Sequence, residues 1–155
     1  NLSATSLSDD ALLDYVGERL LEHGVGGECL CFEITETAAI ANVNAAIRFM
    51  AGVRELGCAI ALDDFGSGLS SFSYLKTLPA DYLKIDGAFV RGMLDDHLDH
   101  TIVDTITRIG HAAGKEVVGE SAEHQALIEA MTRLGVDFVQ GHAVDAPRRL
   151  ERSAS

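Results

Sequence analysis

The chain has 155 residues, 47% of them hydrophobic and 23% charged, with two prolines and no tryptophan. That composition excludes a disordered chain, and apolar stretches of about five residues are too short for a membrane span. Twelve Lys plus Arg against twenty-four Asp plus Glu give a formal net charge of −12, a surface that repels DNA, RNA and anionic lipid.

A small anionic ligand stays open as a partner, provided cations neutralise it. No charged-then-apolar leader opens the chain, so secretion is not expected. Cys29, Cys31 and Cys58 are too few for a disulfide framework and lack a second ligand pair for a metal. They are expected as buried, reduced core thiols, which points to the cytosol.

Four stretches carry helical period. Residues 8–23 start at the capping candidate Ser8, align Leu12, Leu13, Val16 and Leu20, and stop before Gly24. Residues 42–56 open at Asn42, repeat Val43, Ile47 and Met50, and end at Gly57. Residues 96–113 place Ile102, Ile106, Ile109 and Ala113 in one stripe, closed by Gly114; residues 123–134 place Leu127, Met131 and Leu134 before Gly135. Each end has the cap or glycine that a helix terminus favours.

Between the helices lie apolar runs of strand length at 29–34, 58–62, 82–85, 116–119 and 136–139, with a long loop at 63–74. Near-continuous apolar runs suit strands covered on both faces in a parallel sheet. Alternation of strands and helices means repeated βα units. The tail from Arg148 to Ser155 is polar and is expected to fray.

Polar residues fall at the ends of these runs. Glu33 and Glu36 close the first, Asp63 and Asp64 the second, Lys84 and Asp86 the third, Glu120 the fourth and Gln140 the fifth. Any one of these could be a helix cap or a solvated acid. Together they match the active face of a (β/α) barrel, where catalytic groups stand at the C-terminal strand ends. A full barrel has eight strands in ~250 residues, so five strands read as the C-terminal part of one. An open doubly wound sheet is the competing architecture, although its glycine-rich phosphate loop is missing.

Oxygen ligands without His or Cys select a hard cation, Mg²⁺ or Mn²⁺, with Ca²⁺ as a structural or inhibitory substitute. Adjacent Asp63 and Asp64 could serve two cations, a pair that activates a water and stabilises the leaving oxygen in phosphoester hydrolysis. Lys84 would then orient a water or offset developing charge, with Glu120 as ligand or general base. His97 and His100, beside Asp95, Asp96 and Asp99, read instead as a solvated, acid-rich first helical turn. His142 is placed near the site with no role demanded of it. Gly66 and Gly68 are expected to give the 63–74 loop its mobility.

Asn1-Leu2-Ser3, Glu33-Ile34-Thr35-Glu36, Asp63-Asp64-Phe65-Gly66-Ser67-Gly68, Lys84-Ile85-Asp86 and Gln140-Gly141 resemble, in order, the motifs of EAL-domain cyclic-di-GMP phosphodiesterases. The resemblance spans residues 1–147, leaving 148–155 as a tail. It implies a TIM-like α/β barrel of the EAL type, N-terminally incomplete, hydrolysing cyclic di-GMP to linear pGpG with two Mg²⁺ or Mn²⁺ ions in bacterial signalling. Asn1, Glu33 and Asp63 then resemble first-metal ligands, Asp64 a second-metal ligand, Lys84 the water-orienting lysine and Glu120 the catalytic glutamate. Glu36 resembles the acid that anchors the 63–74 loop and couples metal binding to dimerisation. Asp86, Glu123 and Gln140 match further positions lining the site.

The strand bearing the Glu-Ala-Leu motif is absent from this chain. The family's Glu-Gly-Val-Glu reads Glu120-Ser121-Ala122-Glu123, so strain is expected at Ser121 if the turn needs a positive φ. The usual alanine before Glu120 is Gly119, and the aromatic after Gln140-Gly141 is His142. A cytoplasmic homodimer with sensor or cyclase domains upstream is the implied setting. The alternative is a degenerate receptor that binds the dinucleotide or a protein without turnover. A barrel lyase or aldolase fits the acids alone but not the ordered motifs.

Overall fold

The computed structural model describes residues 1–67 and 72–149. Its five strands are β1 (Cys31–Thr35), β2 (Ala59–Phe65), β3 (Tyr82–Ile85), β4 (Glu116–Gly119) and β5 (Phe138–Val139). Six α-helices accompany them: α1 (Asp10–His23), α2 (Glu36–Ala41), α3 (Val43–Glu55), α4 (Gly87–Gly92), α5 (His97–Ala112) and α6 (Gln125–Leu134). The sheet runs β1-β2-β3-β4-β5, every pair parallel. Strand order following chain order is the progression of a barrel wall, whereas a doubly wound sheet reverses direction at a switch point. The competing architecture is excluded on that ground.

The expected helices form because their ends are capped as the sequence signals. Asn42 Oδ1 accepts from Ala45 N at 3.1 Å, and Gly24 and Gly135 close α1 and α6 with φ of 62° and 80°. Asp9 caps α1 instead of Ser8, since its carboxylate accepts from Ala11 N at 3.0 Å while Ser8 belongs to a 3₁₀ turn. The buried face of α5 is Val103, Ile106, Thr107 and Gly110, rotated from the expected stripe. Gly110 explains the rotation, because a Cβ there would lie 2.6 Å from Val117 and the backbone itself packs on the sheet. Two short helices, α2 and α4, have too few turns to show a period. Their N-caps, Thr35 and Asp86, accept from Ala38 N at 3.2 Å and Ala88 N at 2.8 Å. Asp96 likewise caps α5, and the acids and histidines around it are largely solvated, as expected.

The cysteine expectation is corrected. Cys58 is buried, but Cys29 and Cys31 are exposed. Cys29 lies in a 3₁₀ turn before the strand, and Cys31 falls on the same side of β1 as Glu33, the side that faces into the unfinished barrel. The expected loop at 63–74 is shorter than its bounds, since β2 runs on to Phe65 and a 3₁₀ helix occupies Phe72–Lys76, while Gly68 lies outside the described residues, as does the tail beyond Arg149.

Side-chain alternation sorts the sheet into two faces. Ile34, Ile60, Leu62, Leu83, Ile85 and Val117 are fully buried beneath the helices. Glu33, Ala61, Tyr82, Lys84, Val118, Phe138 and Gln140 line the concave opposite face. At one edge of the sheet, β1 receives a single bridge from Leu2, whose N–H donates to Glu33 O at 2.8 Å. At the other, β5 has no further strand among the described residues, and its own Phe138 is 47% exposed. Unpaired parallel edges recruit other chains. The 155-residue chain on its own is therefore expected to sediment as an associated species larger than its 16.5 kDa monomer. A monomer that melts cooperatively would contradict this reading of the open edges.

Candidate functional site

At the C-terminal ends of the strands, the register brings Thr35 beside Asp63 and Lys84 beside Val118. Lys84 projects inward and is only 4% exposed. Its Nζ lies 2.8 Å from Glu33 Oε1, 2.9 Å from Asp63 Oδ1 and 2.6 Å from Glu120 Oε1. One ammonium thus joins carboxylates from β1, β2 and the end of β4. Burial pulls the lysine pKa down, but the adjoining carboxylates of Glu120, Glu33 and Asp63 outweigh it, so Lys84 is held charged well above the ordinary lysine range.

The carboxylates are in surplus. Burial raises the pKa of Glu120, and the negative charges of Asp63 and Asp64 add to it, against the opposing pull of Lys84. Asp64 is raised in the same way, by burial first and then by Asp63 and Asp86. Asp63 Oδ1 is buried and receives no well-aligned hydrogen bond among the described residues, despite its ion-pair distance to Lys84. A single lysine therefore leaves negative charge uncompensated at this point.

Backbone geometry brings the two aspartates together. Consecutive strand residues point to opposite faces, which would separate Asp63 from Asp64. The β2–β3 register shifts between Leu62 and Phe65, and Asp64 adopts φ 53°. Aspartate tolerates this left-handed conformation better than most residues. As a result, one oxygen each of Asp63, Asp64 and Glu120 lie within 4.8 Å of one another. The all-oxygen donor set and its surplus charge fit a hard divalent cation.

The other expected residues lie around this cluster. Glu36, 1% exposed, accepts from Gly66 N at 3.0 Å and from the Tyr74 hydroxyl, so it grips the 63–74 loop at both of its described ends. Gly66, expected to give mobility, is pinned here with φ 99°. Asn1 precedes Leu2, which pairs with Ile34, so it stands beside the strand end that carries Glu33. Asp86 spends one oxygen on its helix cap. Glu123, Gln140 and His142 line a cavity of about 280 Å³ next to Glu120. Ser121 has φ 53°, the strained turn anticipated from its replacement of glycine.

Sequence reading missed Tyr74 and the bulge at Asp64. The tyrosine carries no motif spacing of its own, and a register shift depends on the neighbouring strand.

A row of parallel strands whose ends gather three carboxylates on one buried lysine, with Asp64 beside them, is the layout of a TIM-like barrel site with the donor set of a hard cation. A family model described as the EAL domain matches residues 1–147. The chain belongs to the EAL-domain family, and its five-stranded sheet is an incomplete EAL-type (β/α) barrel. It is 39% identical over 150 residues to the cyclic di-GMP phosphodiesterase PdeB of Shewanella oneidensis, covering 97% of this chain and 18% of that protein. It is 38% identical to the cyclic di-GMP phosphodiesterase PdeF of Escherichia coli K12, covering 97% of this chain and 20% of that one. The solved structure of the PaMucR phosphodiesterase in complex with c-di-GMP superposes with a TM-score of 0.90 at 37% identity, covering 95% of this chain and 60% of that chain. The chain thus spans about a fifth of the length of these curated relatives. Among the described residues, no helix is long and apolar enough to cross a membrane.

Proposed function

We propose that this chain supplies the acid- and lysine-bearing part of a cyclic-di-GMP phosphodiesterase, acting within a completed EAL barrel. The carrying observation is the convergence of Asp63, Asp64 and Glu120 within 4.8 Å, with Lys84 ion-paired to Asp63 and Glu120. In this reading Asn1, Glu33 and Asp63 hold one cation and Asp64 contributes to a second, both Mg²⁺ or Mn²⁺. When bound, the pair would supply positive charge at the scissile phosphate and a water acidified towards neutral pH.

This chain's residues do the rest. Lys84, kept protonated by its three carboxylates, orients the attacking water and offsets charge developing on the phosphate oxygens. Glu120 accepts a proton from that water, a role its raised pKa suits. The water oxygen bonds to phosphorus, the bond from phosphorus to one 3′ oxygen breaks, and that oxygen leaves as the 3′-hydroxyl of linear pGpG. Asp86, Glu123 and Gln140 line the path of the nucleotide, and Glu36 holds the 63–74 loop that ties the site to a homodimer interface.

The degenerate-receptor reading rests on Ser121. Against it, every carboxylate of the cluster and the lysine are retained and converge. Product chromatography on the full-length protein with cyclic di-GMP and Mn²⁺ tests the proposal. Linear pGpG that disappears with EDTA supports it, and tight binding without product supports the receptor.

A further inference from the structure

The turn that carries Glu120 departs from the family pattern at Ser121, and its surroundings fit that departure. A Cβ built on Gly87, the first residue of α4, would lie 2.8 Å from Ser121 Cβ and closer still to Ser121 Oγ. Rotating the hydroxyl would relieve the second clash but not the first, because the Ser121 Cβ is fixed by the backbone. Gly87 is therefore the space that the Ser121 side chain occupies. Arg91, one turn further along α4, donates from Nη1 to Ser121 Oγ at 2.9 Å. Left-handed backbone is costly for a non-glycine residue, and this hydrogen bond offsets part of that cost.

The opposite side of the turn is held just as closely. Ala122 N donates to Gln140 O at 3.0 Å and Ala143 N to Ala122 O at 2.9 Å. A Cβ on Gly141 would come within 2.7 Å of the Ala122 carbonyl carbon. The segment after Glu120 is thus clamped between α4 and the loop after β5. Because α4 starts two residues after Ile85 of β3, the Arg91 contact ties Glu120 to the strand that bears Lys84.

We propose that Arg91 and Ser121, with the space left by Gly87, form a brace that holds Glu120 in the oxygen cluster with Asp63 and Asp64 and against Lys84. Arg91 and Ser121 are positioning residues, acting through the turn without touching the phosphate. The inference rests on the reading of that three-carboxylate cluster as a cation site but not on turnover.

The test is a double-mutant cycle in the full-length protein, read as Mn²⁺ affinity by calorimetry, with melting curves to confirm folding. Gly87→Ala is expected to weaken Mn²⁺ binding about 10–100-fold, the range for losing a group that orients a ligand. Adding Ser121→Gly should recover most of that loss, since glycine removes the clash and accepts the positive φ. Arg91→Ala should weaken binding in the parent and have little effect in the Ser121→Gly background, where no hydroxyl remains to hold. Should Gly87→Ala fail to fold, the Arg91 arm of the cycle decides. Wild-type affinity in Arg91→Ala, additive losses in either double variant, or no Mn²⁺ binding by the parent would overturn the brace. Failure of the parent to hydrolyse cyclic di-GMP while binding Mn²⁺ would overturn only the phosphodiesterase reading.

Discussion

Exchanging Lys84 for alanine is expected to lower cyclic-di-GMP turnover by about 10²–10³-fold, the usual loss when one preorganised transition-state charge is removed. Lys84 is buried and its ammonium sits within 3 Å of oxygens from Glu33, Asp63 and Glu120, so no other described cation can replace it there. Breaking a buried ion pair from one side costs about 3–5 kcal/mol of stability. Rates are therefore to be compared at saturating Mn²⁺, where bound cations offset the carboxylates, with a melting curve for each variant. Glu120→Gln keeps the shape of the side chain and removes the base, and a similar drop in rate is expected. Nucleotide affinity should change far less in both variants, because the cavity beside Glu123 and Gln140 is intact. Equal, clearly measurable turnover in the parent and both variants would remove these residues from the mechanism.

Asp63→Asn is expected to weaken Mn²⁺ binding by at least about 10–100-fold, since loss of even an outer-shell partner costs that much. Asp63 is the point where the two demands on the site meet. Its Oδ1 is buried beside Lys84 without a well-aligned hydrogen bond, and it shares the oxygen cluster with Asp64 and Glu120. The asparagine keeps an oxygen of similar reach and loses the charge that a hard cation prefers. Activity should fall with the affinity and recover partly at high Mn²⁺. Hydrolysis at an undiminished rate after exhaustive EDTA treatment would show that no cation is required.

Most of the frame was legible because it rests on local signals. The caps at Asn42, Gly24 and Gly135, and the apolar runs of β2 to β4, depend on their own residues alone. The site was legible for a related reason. Charges that end apolar strands have few structural alternatives, and Lys84, Asp63 and Glu120 do converge.

What sequence reading missed depends on neighbours. The face of α5 is set by the close approach of Gly110 to Val117, and the exposure of Cys31 by its place on the open face of β1. The left-handed turn at Asp64 follows from a register shift against β3. The departures from the family pattern also read differently in three dimensions. Gly119 leaves room that the Met131 thioether fills, and Ser121 fills room that Gly87 leaves.

Hydrolysis of cyclic di-GMP in water enriched in ¹⁸O, with Mn²⁺ and the full-length protein, tests the central claim most directly. The account predicts linear pGpG carrying a single ¹⁸O on its 5′-phosphate, formed about 10²–10³-fold more slowly by the Lys84→Ala protein. Unchanged cyclic di-GMP after prolonged incubation with the parent protein at saturating Mn²⁺ would contradict it.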